Sequence, residues 1–353
     1  MSITVHERPG VYSSYAASSA VSGSAGKKNV GLAVKIKQPQ KTMWTINTYQ
    51  DAVAAFGAAT GNNAAQLTRL LLQNGAAQVM VFPVSGDALS NYRTAFERMQ
   101  SVQDLAVVMC DSTQLDVQQA LRDSVQAASQ VQCERIAVVG GTAANTVAEL
   151  VERAKNLNSE RVVLTAPGCV ASDGTAMDGV QVAAAVAGAI AGETDPAVPL
   201  GGARLTGLHG LNQQLREEEL DVLIRGGVTA VESVGGVVSV VRGVTTRTTT
   251  DGAADSTWRD LCAILVVDDV IPTIRNALKS RFRRAKNTAQ SRGAIRSQVV
   301  LELENKLARE IIAGYEQVRV RADEEDPTRC LVDFSFTVTH GINQIWLSAH
   351  ITI

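Results

Sequence analysis

Residues 135–166 read RIAVVGGTAANTVAELVERAKNLNSERVVLTA. Two short apolar runs, Arg135–Val139 and Arg161–Ala166, flank a segment, Ala144–Leu157, with helical spacing of its apolar residues. Continuous Val/Ile/Leu/Ala strands joined by helical spacers are the pattern of a parallel sheet, since each crossover lays a helix on one face. The alternation extends backwards through strand runs at Val79–Val84 and Leu105–Cys110, with helix-like segments at Asn91–Gln100 and Leu115–Gln130. Residues 76–200 therefore read as a doubly wound α/β unit. Upstream, Val30, Leu32, Val34, Ile36 and the run Met43–Ile46 give strand signals. Asp51–Phe56 and Ala64–Asn74 read as helices, the second stopped by Asn74 and Gly75.

The C-terminal hundred residues read as a second unit. Leu261–Val267 is expected to be a buried strand. Asp268 and Asp269 then sit as dipole-compatible residues before a helix with Pro272 in its first turn. A second helix carries Ile295, Val299, Leu303, Leu307 and Ile311. Val318 and Val320 begin a strand, and Val332, Phe334, Phe336 and Val338 alternate with polar residues in another. Between the units, a helix is expected near Asn212–Arg225 and a strand at Val237–Val241. The expected class is α/β (α+β overall), a doubly wound core plus a smaller α+β C-terminal domain. The expected division is an arm and linker at 1–28, the α/β domain at 29–200, the C-terminal domain at 201–339 and a terminal arm strand at 340–353.

The ends have a character of their own. Ile3 and Val5 alternate with polar residues before Pro9 and Gly10 break the pattern, and Ser13–Gly26 is Ser/Ala/Gly-rich, the composition of a flexible linker. At the other end Ile345, Leu347, Ala349, Ile351 and Ile353 fall on one side of an alternation, with Trp346 on the other. A strand running to the last residue is paired or is an exposed edge. Its partner lies either within the domain or on a neighbouring subunit.

Composition excludes several functions. The chain has 353 residues, enough for two or three domains of about 100–200 residues each. It is 45% hydrophobic, with 33 basic and 35 acidic residues for a net charge of -2, and only 4% aromatic. That balance argues against a nucleic-acid grip, and the few aromatics against stacking platforms. Cys110, Cys133, Cys169, Cys262 and Cys330 are odd in number and hold no CxxC, which disfavours a disulfide framework or a zinc site. Met1–Tyr15 has no apolar signal-peptide core. Gly179–Gly192 is shorter than the roughly 20 residues a bilayer span needs and reads as an interior helix. Residues 1–50 and 270–330 each carry a net +5, whereas 51–269 carry -11. These are either solvated faces or complementary patches through which copies of the chain meet, with Glu217 and Glu218 opposite Arg281, Arg283 and Arg284.

A catalytic reading begins at the C-terminal ends of the α/β strands. Cys110 with Asp111 is a thiol beside a carboxyl, and Gly140 with Gly141 is a glycine turn, so an enzyme or small-ligand site there is the alternative reading. Neither pattern completes a motif. The glycines are not GxGxxG, the Gly23–Lys28 stretch lacks P-loop spacing, and no histidine falls in the α/β unit to act as a base. No cofactor and no metal ligand set is expected.

The order of several stretches carries a resemblance. They are ERPGVY (Glu7–Tyr12), VPLGGARLTGLHGL (Val198–Leu211), LDVLIRGGVTAVE (Leu220–Glu232), VVRGVTT (Val240–Thr246), ILVVDDVIPTIRNAL (Ile264–Leu278), KNTAQSRGAIRSQV (Lys286–Val299) and GINQIWLSAHITI (Gly341–Ile353). In this order the chain resembles the tail sheath proteins of contractile phage tails and of phage-tail-like bacteriocins. Residues 30–175 match in architecture only. The resemblance implies a non-enzymatic subunit that stacks around an inner tube and contracts to drive it through a target envelope. It implies a homo-oligomeric sheath, partnered by the inner tube protein, baseplate and tail terminator, with no direct nucleic-acid contact and no membrane insertion. It also implies assembly in the bacterial host cytoplasm, then a place in a virion tail or a released bacteriocin particle. The 201–339 domain would face the tube and the 29–200 domain outward. Strand exchange between subunits would use arm residues Ile3, Val5, Val11, Tyr12, Ile345, Trp346, Leu347, Ile351 and Ile353. One chain carrying both arms and a fused C-terminal domain looks more like the phage type than the two-chain secretion type.

Overall fold

The structure is a computed structural model that describes residues 28–37, 39–343 and 346–348. The chain opens with strands β1 (Asn29–Lys35) and β2 (Trp44–Ile46), then helices α1 (Tyr49–Phe56) and α2 (Ala64–Gln73). The alternating region follows as β3 (Gln78–Val84), α3 (Leu89–Gln100), β4 (Leu105–Cys110), α4 (Leu115–Gln130), β5 (Ile136–Gly140), α5 (Val147–Leu157) and β6 (Val162–Ala166). A small hairpin, β7 (Cys169–Val170) and β8 (Ala176–Met177), leads into α6 (Val180–Gly192). Then come β9 (Arg204–Leu205), α7 (Glu217–Arg225), β10 (Val228–Val234) and β11 (Val237–Val240). A second small hairpin, β12 (Thr249–Thr250) and β13 (Ala253–Ala254), precedes helices α8 (Leu261–Phe282) and α9 (Ala289–Ala308) and strands β14 (Ile312–Ala322) and β15 (Cys330–Val338).

Nine strands form one sheet in the order β2-β3-β1-β4-β5-β6-β10-β11-β9. The strands from β3 through β10 in that order pair in parallel; β2, β11 and β9 add antiparallel. Residue alternation divides the sheet between two cores. Val30, Leu32, Val107, Met109 and Val138 face α2 and α6, while Ala33, Phe82, Val108, Val139 and Leu164 face α3, α4, α5 and α7. This is the doubly wound, three-layer arrangement expected, and it explains why the strands read as continuous apolar runs.

Local chemistry sets the helix starts. Thr48 with Asp51 and Thr146 with Glu149 close reciprocal capping boxes at α1 and α5, and Asn63, Asp260 and Thr288 cap α2, α8 and α9 through their side chains. Helix α6 is buried on almost all sides, as its alanines suggested. A Cβ on Gly188 would lie 2.6 Å from the Leu71 carbonyl, so the small residue lets α6 and α2 approach backbone to backbone.

Four expectations change. The division foreseen at residue 200 falls within the sheet's sequence, because β9–β11 pair into the nine-stranded sheet through β6; the second unit begins at α8. Leu261–Val267 is not a strand but the first two turns of α8. A short apolar run cannot by itself separate a buried strand from a buried helix. Here Leu261 and Ile264 enter the large core while Val266 and Val270 enter a third one, so apolar residues are needed all round. Pro272 accordingly lies in the interior of α8, and Asp268 and Asp269 are mid-helix, not caps. The helix expected at Asn212–Arg225 starts only at Glu217.

The third core belongs to the α+β unit. Val270, Ile274, Val299, Leu303, Ile311 and Ile312 are buried in it, and Val332, Phe334, Phe336 and Val338 of β15 pack against it. Strands β14 and β15 form a two-stranded antiparallel sheet.

Candidate subunit interface

The strand-end site was the rival to an assembly surface, and its residues have structural work there. Cys110 is buried, its thiol is pushed up to about 12 by burial, and its sulfur lies 3.7 Å from the Ser112 carbonyl rather than beside a base. Such a thiol is a poor nucleophile near neutral pH. Asp111 accepts hydrogen bonds from the Tyr92 hydroxyl (2.6 Å) and the Lys35 amide (2.9 Å); burial still holds its carboxyl above the usual range. Gly140 and Gly141 seat the start of α6. A Cβ on Gly140 would come 2.3 Å from the Gly179 carbonyl carbon, and the Gly179 amide donates to Gly141 O at 2.9 Å. The cleft beside these strand ends, about 400 Å³, is lined by Lys35, Asp87, Asp111 and Asp178 among others, and Lys35 already pairs with Asp87 at 2.8 Å. Among the described residues no group of His, Cys, Asp or Glu is arranged to hold a metal ion.

The C-terminal hairpin offers a different kind of site. Along β15, Val332, Phe334, Phe336 and Val338 point to the small core, with the two phenylalanine rings 6.3 Å apart, while Asp333, Ser335 and Thr337 are exposed. Strand β14 is irregular near Gln317, whose φ is 49°, and its register slips there. Two strands alone are marginal in water and hold because one face packs on α9. Among the described residues no third strand pairs with β14 or β15, so each outer edge presents unpaired backbone groups. Beyond β15 the described residues of 339–343 and 346–348 join no strand. This segment exposes large apolar side chains, Ile342, Trp346 and Leu347, the last two more than 90% exposed. Of the expected arm residues, Trp346 and Leu347 are described; Ile3, Val5, Val11, Tyr12, Ile345, Ile351 and Ile353 lie outside the described residues.

The two charged patches lie on different units. Glu217 and Glu218 are exposed at the N-terminus of α7, where the helix dipole favours them. Arg283 and Arg284 are exposed just past α8, whereas Arg281 donates to the Gln298 side chain and is partly committed within the unit.

Ion pairs that sequence reading missed join the two units. Arg161 grips Asp268 with two hydrogen bonds of 2.7 and 2.9 Å, and Arg275 grips Glu134 at 2.6 and 3.2 Å. Asp269, about 100° further round the helix, turns away to Lys306 of α9 at 2.5 Å. The only signal in the sequence was the adjacent aspartate pair, and its partners are more than a hundred residues away in the chain for Asp268.

Comparison with known proteins agrees with this geometry. The phage tail sheath protein central domain matches residues 84–246, and the phage tail sheath C-terminal domain matches 253–352, together about three quarters of the chain. The seam between the two matches precedes α8, the first helix to contribute to the third core. A tail sheath protein of Bacillus phage SP01 is 27% identical over 267 residues, covering 74% of this chain. The chain spans 45% of that relative's length. Among solved structures, a chain of the anti-feeding prophage baseplate superposes with a TM-score of 0.77 at 17% identity, covering 99% of this chain and 100% of that one. The helical sheath of the same particle in its contracted state gives 0.72 at 18% identity, covering 98% and 99%. The two domain matches and the shared fold lead to one conclusion: this chain belongs to the phage tail sheath protein family.

Proposed function

We propose that this chain is a structural subunit of a contractile tail sheath, one that polymerises around an inner tube and shortens to drive the tube through a target envelope. The observation that carries the reading is the two-stranded β14–β15 sheet, with both outer edges unpaired among the described residues, next to an exposed apolar C-terminal segment. Strand addition suits a lattice that must stay connected while it rearranges. Main-chain hydrogen bonds hold the donated strand and the surrounding side-chain interfaces are free to change. The terminal segments 1–28 and 340–353 are the proposed donors, with Ile3, Val5, Ile345, Leu347, Ile351 and Ile353 as the strand residues and Val11, Tyr12 and Trp346 beside them. Glu217 and Glu218 on one copy facing Arg283, Arg284 and the free capacity of Arg281 on the next is the proposed lateral contact; such complementarity sets register more than affinity.

The role is structural rather than catalytic, which agrees with a Cys110 thiol pushed up to about 12 and glycines used for packing. The inner tube, a baseplate and a tail terminator are the proposed partners, and the α+β unit is proposed to face the tube. No helix among the described residues is long and apolar enough to cross a membrane. Assembly would take place in the host cytoplasm and end in a tail or tail-like particle.

Negative-stain electron microscopy of the full chain beside a variant lacking residues 1–22, each with and without the inner tube, tests the proposal. Tubes from the full chain and only monomers or short stacks from the variant support strand exchange. Small, monodisperse full-length protein even with the tube present would refute it.

A further inference from the structure

Helix α8 carries the chain from the sheet unit into the α+β unit, and it has a weak point near its middle. Its first turns are anchored in the large core by Leu261 and Ile264, and its middle in the small core by Val266, Val270 and Ile274. Pro272 sits in mid-helix between Val270 and Ile274, both buried in the small core. Proline has no amide hydrogen, so the Asp268 carbonyl loses its helical donor, and the ring crowds that same carbonyl. The next turn is held partly by a side chain, the Thr273 hydroxyl donating to Asp269 O at 2.6 Å.

The two guanidinium–carboxylate pairs fall on either side of this point. Asp268, four residues before the proline, is held by Arg161 immediately ahead of β6; Arg275, three residues after it, is held by Glu134 ahead of β5. Both pairs are two-pronged, which fixes orientation as well as distance. They differ in exposure. The Arg161 and Asp268 side chains are 9% and 14% exposed, whereas Arg275 is 26% exposed and borders open space. That space is a polar cleft of about 600 Å³ between the sheet's N-terminal strand ends and the second half of α8, lined by Asp104, Gln132, Pro272, Asn276 and Lys279 among others. Beside this cleft the Glu134–Arg275 pair is a two-pronged tie between this part of the helix and the sheet unit.

We propose that α8 has a hinge at Pro272 splinted by these two ion pairs. With both closed, α8 is held on either side of the proline. When Glu134 and Arg275 part, residues 273–282 open locally beside the cleft, while the turns before Pro272, held by Val266 and Val270 in the small core and by Asp268 on Arg161, stay in place. The proposal concerns this helix and does not rest on the assembly reading.

Hydrogen–deuterium exchange of the full chain, resolved to peptides within 261–282, tests it. In Glu134→Gln, amides of residues 273–282 should exchange about tenfold faster than in the parent, with those of 262–268 unchanged. Adding Pro272→Ala should return 273–282 to the parent rate, because an unbroken backbone ladder removes the hinge. The swapped pair Glu134→Arg with Arg275→Glu should also restore protection. The proposal is overturned if Glu134→Gln leaves 273–282 unchanged. It is equally overturned if the variant accelerates 262–268 and the sheet strands to the same extent, or if Pro272→Ala fails to restore protection.

Discussion

Replacing Arg161 with methionine removes the more buried of the two inter-unit pairs and leaves Asp268 behind. The Asp268 carboxylate loses two hydrogen bonds, of 2.7 and 2.9 Å, in a place where its side chain is 14% exposed. Removing one partner of a buried pair costs about 3–5 kcal/mol, because the remaining charge is desolvated without compensation. The Lys28 ammonium is close enough to act on Asp268, so the lower end of that range is expected. At about 2–4 °C per kcal/mol, the melting temperature should fall by about 6–12 °C. The double variant Arg161→Met with Asp268→Leu should recover to within about 1–2 kcal/mol of the parent, since neither charge is then buried.

Acidity supplies a second, independent reading of the same variant. Burial already holds the Asp268 carboxyl above its ordinary value, against the opposing pull of Arg161. Without Arg161 it rises further. Between the unfolded and the raised folded value the native state binds more protons, so stability falls as pH rises through that window. The deficit of Arg161→Met should therefore be full at pH 8 and shrink toward pH 5. Guanidinium unfolding at the two pH values, followed by far-UV circular dichroism, measures it. A deficit below about 1 kcal/mol, one that grows in acid, or a double variant no better than the single would refute the reasoning.

Other residues give simpler tests. Gly140→Val forces a side chain against the Gly179 backbone, 2.3 Å from the first added carbon, and should lower stability by at least about 1–3 kcal/mol in thermal unfolding. Leu303→Ala empties a fully buried position in the small core and should cost about 2–5 kcal/mol, with exchange rising first in α9 and the β14–β15 hairpin. Under native conditions at pH 8 a maleimide should label the half-exposed Cys133 and Cys330. Cys110, Cys169 and Cys262, buried and with thiols held at about 11–12, should react only after unfolding, as peptide mass spectrometry can show.

Where apolar period and helix chemistry agree, the sequence was sufficient. The runs Val79–Val84, Leu105–Cys110, Arg135–Val139 and Arg161–Ala166 became β3 to β6, and the spacers between them became α3 to α5. A strand covered on both faces must be apolar throughout, and a covering helix must repeat its apolar residues every three or four, so each element was written locally. The alternation of Val332, Phe334, Phe336 and Val338 fixed β15 for the same reason. The order of short stretches such as ILVVDDVIPTIRNAL was enough to suggest the family that the domain matches then established.

Other features depend on which distant residues meet, and no local pattern records that. Leu261–Val267 had the composition of a buried strand, yet it lies as a helix between two cores, a circumstance visible only once both cores exist. Asp268 and Asp269 looked like caps because their partners, Arg161 and Lys306, come from different units. Cys110 and Gly140 looked like chemistry because strand ends often carry it; burial and the closeness of α6 assign them to packing. The sequence by itself thus determined the strands, helices and family, since periodicity and capping act over a few residues. Only the tertiary structure decided where the two units divide, which charges are buried together and which sheet edges are unpaired among the described residues, since those follow from contacts between residues that folding alone brings within reach.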